Sequence, residues 1–239
     1  GEPVCVGNAN GEETHNMKLE ALQERLPGIY RAVGKVPING PINMQAAMHV
    51  VKAEDALIMV DPCRLPESDL NMLEDLGNPT HLIITNGNHV RHTDFYRDRY
   101  QLSVLTSRKL MAKIETSVDT FFDDGETLPG GLTAIGMPGM SLGETILLHP
   151  GGDGALIVGD AIFNYQKGDF ALPMKLFSAI GMLPKGLSPM PGFAMENKAE
   201  AANSCRKLLN YTFDAIFVSH GSPLLSDAKA RWQEVVDAL

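Results

Sequence analysis

Apolar residues along the chain fall into short runs that end abruptly at polar residues. The clearest run is Leu82-Ile83-Ile84, which is followed at once by the polar stretch 85–94. A short continuous apolar run with β-branched members is typical of a strand buried on both faces. Because ligands collect where buried strands end, we expect the turn at 86–94 to contribute to a functional site.

Similar runs alternate with helical patterns in the first half of the chain, which predicts an α/β fold. The pattern predicts strands at 29–33, 43–51, 56–61, 82–84 and 102–106, and helices at 19–26, 67–76, 95–100 and 109–114. Further strands at 132–135, 145–148 and 155–158 are separated by Gly/Pro-rich turns, which favours an antiparallel meander. The chain ends with a predicted helix at 197–209, a strand at 215–218 and a helix at 226–239. We therefore expect two sheets with helices outside them.

Four of the predicted strands end at polar groups. These ends are Asp61, the turn at 86–94, Gly159-Asp160, and Ser219-His220-Gly221. A carboxylate or histidine directly after an apolar strand lies at the edge of its layer, where several such groups can converge.

In the order of these landmarks the chain resembles the metallo-β-lactamase superfamily. That family has a hairpin ending in Asp, a Thr-His-x-His-x-Asp-His turn, a Gly-His-Ser/Thr turn, a Gly-Asp strand end and a final Gly-His. The corresponding segments here are Val60-Asp61-Pro62, 85–91, 138–143, 158–161 and Ser219-His220-Gly221. The resemblance implies one domain over residues 1–239, folded as a four-layer αβ/βα sandwich of two mixed sheets, with a polar tail at 1–15.

The resemblance also implies a dinuclear metal site, but most of its ligand positions have changed. In chain order, the four ligand positions of the signature hold Asn86, Asn88, Val90 and Arg91. The position of the turn histidine holds Met140, and the two last ligand positions hold Asp160 and His220. Asn is a poor zinc ligand, Val is none, and Arg repels a divalent cation. The resemblance implies that Asp61 supports the site without binding metal itself. We therefore expect the standard centre to be lost or rebuilt.

A rebuilt site would use histidines from shifted positions. His89 and His92 are three residues apart at the start of a predicted helix, so both can face one side. With Asp160 or His220 they offer ligands that suit a single zinc or iron ion. Alternatively, these histidines and Asp94 only cap and solvate the helix N-terminus.

A metal-free site is the other possibility. Asp160 would then orient His220 as a base that activates water. Arg91, with Asn86, Asn88 and Met140 around it, would bind the substrate or an oxyanion. Alternatively, Arg91 forms a structural ion pair with Asp160.

Two other residues have simpler readings beside their chemical ones. Cys63 is either a nucleophile at the pocket rim or, more in keeping with its type, a buried inert thiol. Ser141 has no base beside it in sequence and fits a role in turn hydrogen bonding.

Composition and charge argue against some classes of binding partner. The net charge of −9 and the absence of a basic cluster argue against nucleic acid, and no apolar run approaches the roughly 18 residues of a membrane span. Three cysteines and no signal-peptide pattern predict a cytoplasmic protein. The apolar stretch 163–195 predicts a lid, a homodimer surface, or a loop that closes the core.

Two functions are compatible with these features. The first is a divergent hydrolase acting on a small molecule of the ester, thioester or lactone class. The alternative is a non-catalytic member of the fold that binds a ligand or a protein partner. Convergence of His89, His92, Asp160 and His220 favours the first, whereas an Arg91–Asp160 pair that fills the cleft favours the second.

Overall fold

The larger sheet has seven strands in simple sequence order. The computed structural model describes residues 19–39, 42–166 and 186–239, so the predicted tail at 1–15 lies outside the described residues. Pairing is antiparallel from the first strand to the fourth and parallel from the fourth to the seventh. The strands are β1 (Glu20–Leu26), β2 (Ile29–Asn39), β3 (Ile42–Lys52), β4 (Leu57–Val60), β5 (His81–Ile84), β6 (Ser103–Ser107) and β7 (Thr120–Phe122).

The remaining described strands form a four-stranded sheet and a small hairpin-like sheet. They are β8 (Thr133–Gly136), β9 (Thr145–His149), β10 (Ala155–Val158), β11 (Ile162–Tyr165), β12 (Gly186–Pro189) and β13 (Ala215–Val218). The four-stranded sheet has the order β13-β10-β9-β8, in which β10 is parallel to β13 and antiparallel to β9. The predicted meander of β8, β9 and β10 is thus confirmed.

Helices cover the outer face of each large sheet. The described α-helices are α1 (Glu67–Leu76), α2 (Thr93–Tyr100), α3 (Lys198–Lys207) and α4 (Ala228–Asp237). Apolar residues of α1 and α2 share one core with β3, β4 and β5, whereas those of α3 and α4 share another with β10 and β13. All four helices correspond to helices that the sequence pattern predicts.

Side chains that alternate along the central strands build the layers. In β5, Leu82 and Ile84 pack on the side of α1 and α2, whereas Ile83 lies in a third core between the sheets. In β10, Ile157 belongs to the same core between the sheets, and its neighbour Leu156 packs with α3 and α4. Successive side chains of a strand point to opposite faces, so an uninterrupted apolar run serves two cores at once. The four-layer αβ/βα sandwich is therefore confirmed.

The predicted helix at 19–26 is wrong, because these residues form β1. Their leucines have helical spacing, but β1 is an edge strand whose register with β2 shifts twice, so side-chain alternation along it is broken. Only Leu22 is buried, and Leu19, just before the strand, is half exposed. Three leucines are too few to distinguish a helix from an irregular edge strand.

Two further segments differ from the sequence pattern. The predicted helix at 109–114 is a single 3-10 turn at Arg108–Leu110 followed by an irregular turn. In the apolar stretch 163–195, the two flanks pair as β11 and β12, while 167–185 lies outside the described residues. Both strands are only four residues long, and the Gly and Pro residues of β12 obscure its strand pattern.

Gly139 provides a test of close packing next to the site. It has φ of +83°, and a Cβ atom there would collide with backbone atoms of Asn197, Glu200 and Ala201. We expect Gly139→Ala to lower the free energy of unfolding by about 3 kcal/mol, from backbone strain plus overpacking. Gly125 has φ of +87° but open space around it, so Gly125→Ala should cost only about 1 kcal/mol. Urea unfolding of both variants measures the difference, and equal losses would contradict the collision.

Candidate functional site

The polar strand ends predicted from the sequence meet at one edge of the two facing sheets. Asp61 follows β4 and His89 lies in the turn after β5, whereas Asp160 follows β10 and His220 follows β13. The parallel pairing of β4 with β5 and of β10 with β13 brings the carboxyl ends of each pair side by side. Each sheet therefore supplies one acidic residue and one histidine.

His89 lies between the two carboxylates and is almost completely buried. Its Nδ1 is 2.8 Å from Asp61 Oδ2, and its Nε2 is 3.2 Å from Asp160 Oδ1. The contact at Nδ1 is close but too poorly aligned to count as a hydrogen bond. Burial alone would lower the pKa of His89, but the two carboxylates together outweigh it and raise the pKa to about 10.

Asp160 receives a second imidazole at the same oxygen. His220 Nε2 is 2.9 Å from Asp160 Oδ1, and His220 Nδ1 is 3.1 Å from the carbonyl oxygen of Gln45. Because a carbonyl oxygen only accepts, Gln45 fixes a proton on Nδ1 and leaves Nε2 to face Asp160. Burial alone would raise the pKa of Asp160, but His89 and His220 hold it well below its usual range.

Asp61 is fixed by the end of β5. Its Oδ1 accepts a hydrogen bond of 2.9 Å from the backbone N–H of Thr85, and its Oδ2 accepts one of 2.6 Å from the Thr85 hydroxyl. Asp61 itself has φ of 52°, which is unusual for a residue other than glycine. Burial alone would raise its pKa, but His89 and the hydrogen bonds from Thr85 lower it. Asp61 therefore remains charged and orients His89.

Glu144 is a site residue that the sequence pattern did not reveal. Its Oε1 accepts hydrogen bonds from the backbone N–H groups of Asp160 and Ala161, at 2.9 and 3.0 Å. The other acidic residues of the site follow the carboxyl ends of strands, but Glu144 precedes the amino end of β9. Since β9 is antiparallel to β10, that amino end lies at the same edge of the sheet. A charged residue before an apolar strand was the signal that could have found it.

Besides His89 Nδ1, two further buried polar atoms in this part of the site lack a hydrogen-bond partner. They are Oε2 of Glu144 and Nδ2 of Asn86, and both residues are at most 2% exposed. Burial, reinforced by the negative charge of Asp160, raises the pKa of Glu144 well above its usual value. The environments of the two neighbouring acids thus shift their pKa values in opposite directions.

The loop that carries His220 is held from three sides, which the sequence did not reveal either. The backbone N–H of Ala47 in β3 donates to Ser219, and that of Asn164 in β11 donates to His220. Arg31 Nη2 in β2 donates to the carbonyl oxygen of Gly221 at 2.6 Å. Phe163 stacks on the imidazole of His220 with ring centroids 5.4 Å apart. The direction of the His220 ring is therefore set by three strands.

The other candidate residues lie around this group in different ways. Asn88 is exposed, and its Nδ2 donates to Asp160 Oδ2 at 3.1 Å. Asn86 is buried, and its Oδ1 accepts from the backbone N–H of Asn88 at 2.8 Å. Met140 is buried in the core beneath α3. His92 occupies the N-cap position of α2 without capping it by its side chain, and it does not join the other histidines.

The predicted ion pair between Arg91 and Asp160 is not formed. Arg91 Nη1 donates to the carbonyl oxygen of Asn88 at 3.0 Å. Its Nε and Nη2 atoms are buried without a hydrogen-bond partner. Asp160 instead contacts His89 and His220. His89 lies in the same turn as Arg91, and its shorter side chain fits between the two carboxylates. The sequence placed His89 beside Asp160 only as a metal ligand, and its contact with Asp61 was not expected.

Cys63 has the simpler of its two predicted environments, whereas Ser141 makes a different contact from the expected turn hydrogen bond. Cys63 is buried, and burial raises the pKa of its thiol to about 11. Ser141 is partly exposed, and its hydroxyl contacts the Met190 sulfur at 3.6 Å. Neither side chain is hydrogen-bonded to a histidine of the site.

A two-metal centre does not fit these residues, but a single ion does. Buried Met140 and cationic Arg91 occupy positions where the resemblance implies ligands, and neither binds a divalent cation. By contrast, His89, Asp160 and His220 offer ligand atoms within 4.8 Å of one another. Metal-binding histidines usually direct the other ring nitrogen to a carboxylate or carbonyl, as both do here.

Comparison with known proteins establishes the family. The sequence model described as the metallo-beta-lactamase superfamily matches residues 38–239, so the chain belongs to this superfamily. No curated protein matches the chain in sequence.

Solved structures of the same fold are similar along almost the whole chain. The DIM-1 metallo-β-lactamase aligns with a TM-score of 0.65 at 12% identity, covering 92% of this chain and 99% of that chain. FIM-1 from Pseudomonas aeruginosa, in a mono-zinc form, aligns with a TM-score of 0.65 at 10% identity, covering 94% and 98%. A metallo-β-lactamase from Pontibacter korlensis gives 0.64 at 13% identity, covering 93% and 100%. At such identities the similarity shows the fold alone.

Among the described helices, none is both long and apolar enough to cross a membrane.

Thiol labelling tests whether Cys63 is a buried thiol or a reactive one at the rim of the site, with buried Cys205 for comparison. Burial raises the pKa of both Cys63 and Cys205 to about 11. We expect a Cys5→Ser variant to give almost no reaction with a thiol-specific disulfide reagent at pH 8 while folded, because little thiolate forms and access is blocked. After unfolding in guanidinium, the same variant should react at both thiols. Rapid labelling of folded Cys63 would show a reactive thiol at the rim instead.

Proposed function

We propose that the protein is a hydrolase of a small molecule, and that the reaction takes place where His89, Asp160 and His220 meet. The carrying observation is that both histidines direct Nδ1 to an acceptor and Nε2 to Asp160 Oδ1. This is how histidines are oriented when they serve as ligands or as bases. The superfamily membership supports a hydrolytic reaction.

In this proposal each polar residue of the site has a separate task. His89, Asp160 and His220 hold one zinc or iron ion, while Asp61 and Gln45 fix the two imidazole rings. The ion would act as a Lewis acid on the carbonyl group of an ester, thioester or lactone. Asn88, exposed beside Asp160, would contact the substrate.

The remaining candidates for substrate binding would act at different depths. Arg91 has two N–H groups without partners, Nε and Nη2, which form the edge that binds a carboxylate through two hydrogen bonds. Buried Asn86 and Met140 would shape the floor of the site rather than touch the substrate.

A non-catalytic binding protein is the second candidate, and one observation favours it. Both ring nitrogens of His89 face carboxylates, so a protonated His89 would offset part of their negative charge without a metal. Such a member of the superfamily would bind a small molecule or a protein partner. Homodimer formation and a cytoplasmic location stay predictions from the sequence.

Metal content distinguishes the two candidates. After incubation with zinc or iron and removal of free ions, we expect the wild-type protein to retain about one equivalent by elemental analysis. His89→Ala, His220→Ala and Asp160→Asn should each lose it. His92→Ala is the matched control, since His92 lies outside the ligand group and should retain the ion. Absence of metal from the wild type, or its loss only from His92→Ala, would contradict the proposed ligands.

Hydrolysis of simple substrates tests the reaction itself. We expect turnover of at least one compound from a panel of p-nitrophenyl esters, acyl thioesters and lactones. His220→Ala should lower kcat/KM by about 100-fold or more, because it removes a ligand that also contacts Asp160. His92→Ala should stay close to wild type. No turnover by the metal-loaded wild type across the panel would favour the binding protein.

A further inference from the structure

We propose that Glu144 is a positioning residue that fixes the Asp160 carboxylate between His89 and His220. The inference rests on the proposed function, since it concerns the geometry of the same site. No feature of the superfamily resemblance singles out this position.

The contact of Glu144 is with the main chain that carries Asp160. The turn after β10 presents two successive backbone N–H groups, those of Asp160 and Ala161, and Glu144 Oε1 accepts both. Buried N–H groups without a partner are costly, so this one oxygen determines how the turn is oriented. The orientation of this turn then determines where Oδ1 of Asp160 lies relative to the two imidazole rings.

Glu144 is itself anchored to both sheets. Its carbonyl oxygen accepts from the backbone N–H of Met137 at 3.0 Å, at the end of β8. The next residue, Thr145, donates its N–H to the carbonyl oxygen of Thr85 at 2.9 Å, at the end of β5. Glu144 therefore links the edge of the seven-stranded sheet to the turn of the four-stranded sheet that holds Asp160.

Gly159 shows how closely these groups are packed. A Cβ atom at Gly159 would collide with the Thr85 hydroxyl, and it would lie 2.6 Å from Asn86 Nδ2 and 3.0 Å from Glu144 Oε1. The turn has no room to move toward β5, and Glu144 prevents it from moving away. A shift of about 1 Å at a reacting group is enough to impair a site of this kind.

The contact requires an acceptor oxygen at this position. A glutamine supplies a carbonyl oxygen on a side chain of the same length, whereas leucine supplies none. Glu144→Gln should therefore preserve the site, and Glu144→Leu should disturb it. Glu144→Ala is a second truncation if the leucine variant does not fold.

Asp69 offers a matched control. It is also a buried acid that accepts a backbone N–H, from Leu22 at 2.8 Å, but it lies on α1 on the outer side of the seven-stranded sheet. Asp69→Asn and Asp69→Leu repeat the same pair of changes away from the site. They separate a general loss of stability from a local loss of geometry.

The first experiment measures zinc affinity by calorimetry and the visible spectrum of the cobalt form. We expect Glu144→Leu to weaken zinc binding by about 10-fold to 100-fold and to change the cobalt spectrum, because a ligand loses its support. Glu144→Gln should stay within about 3-fold of wild type, and both Asp69 variants should bind zinc as wild type does. Equal affinities of wild type and a folded Glu144→Leu would overturn the positioning role, as would an equal loss in Glu144→Gln and Glu144→Leu.

The second experiment needs no metal and separates this inference from the proposed function. Imidazole ¹⁵N NMR of the metal-free protein reports the environment of His89 and His220. We expect both sets of signals to shift in Glu144→Leu and to remain in place in Glu144→Gln and in the Asp69 variants. If the wild type binds no metal but these shifts occur, the proposed metal site fails while the role of Glu144 stands. Unchanged signals in Glu144→Leu would overturn that role.

Discussion

Two acidic residues buried against imidazole rings determine how this edge of the sandwich is built. Asp61 and Asp160 are each at most 8% exposed, and a buried carboxylate is unfavourable unless nearby groups compensate its charge. His89 contacts both, and His220 contacts the second. The imidazole rings compensate the carboxylate charges only if they stay within contact distance. The main-chain contacts around the two acids hold the side chains at that distance.

The chain meets the requirement with a different residue from the one that the superfamily resemblance suggests. Arg91 occupies the position of the last signature ligand, yet the side chain that contacts both carboxylates is His89, two residues earlier. A histidine is a more adaptable choice than an arginine because it can carry a proton or give it up to a ligand. The same side chain thus serves both candidate functions, and metal content decides between them.

Much of the fold followed from the sequence, because uninterrupted apolar runs such as Leu82-Ile83-Ile84 fix both the strands and their burial. The strand ends at Asp61, Asp160 and His220 were found by the same rule. The rule failed where tertiary contacts override local pattern, as in the irregular edge strand β1. It also failed for Glu144 and for the Gln45 carbonyl, because a strand's amino end and a main-chain oxygen leave no recognisable pattern in the residues themselves.

The division of the site between two sheets links its geometry to the core beneath it. Asp61 and His89 are carried by one sheet, and Asp160 and His220 by the other, with Ile83, Ile157 and Phe217 packed between them. A change in the thickness of that apolar layer would move one acid–histidine pair relative to the other without altering any polar residue. Substitutions in the layer, far from the polar residues, would then change the geometry of the site, because a close-packed interior transmits changes in side-chain volume.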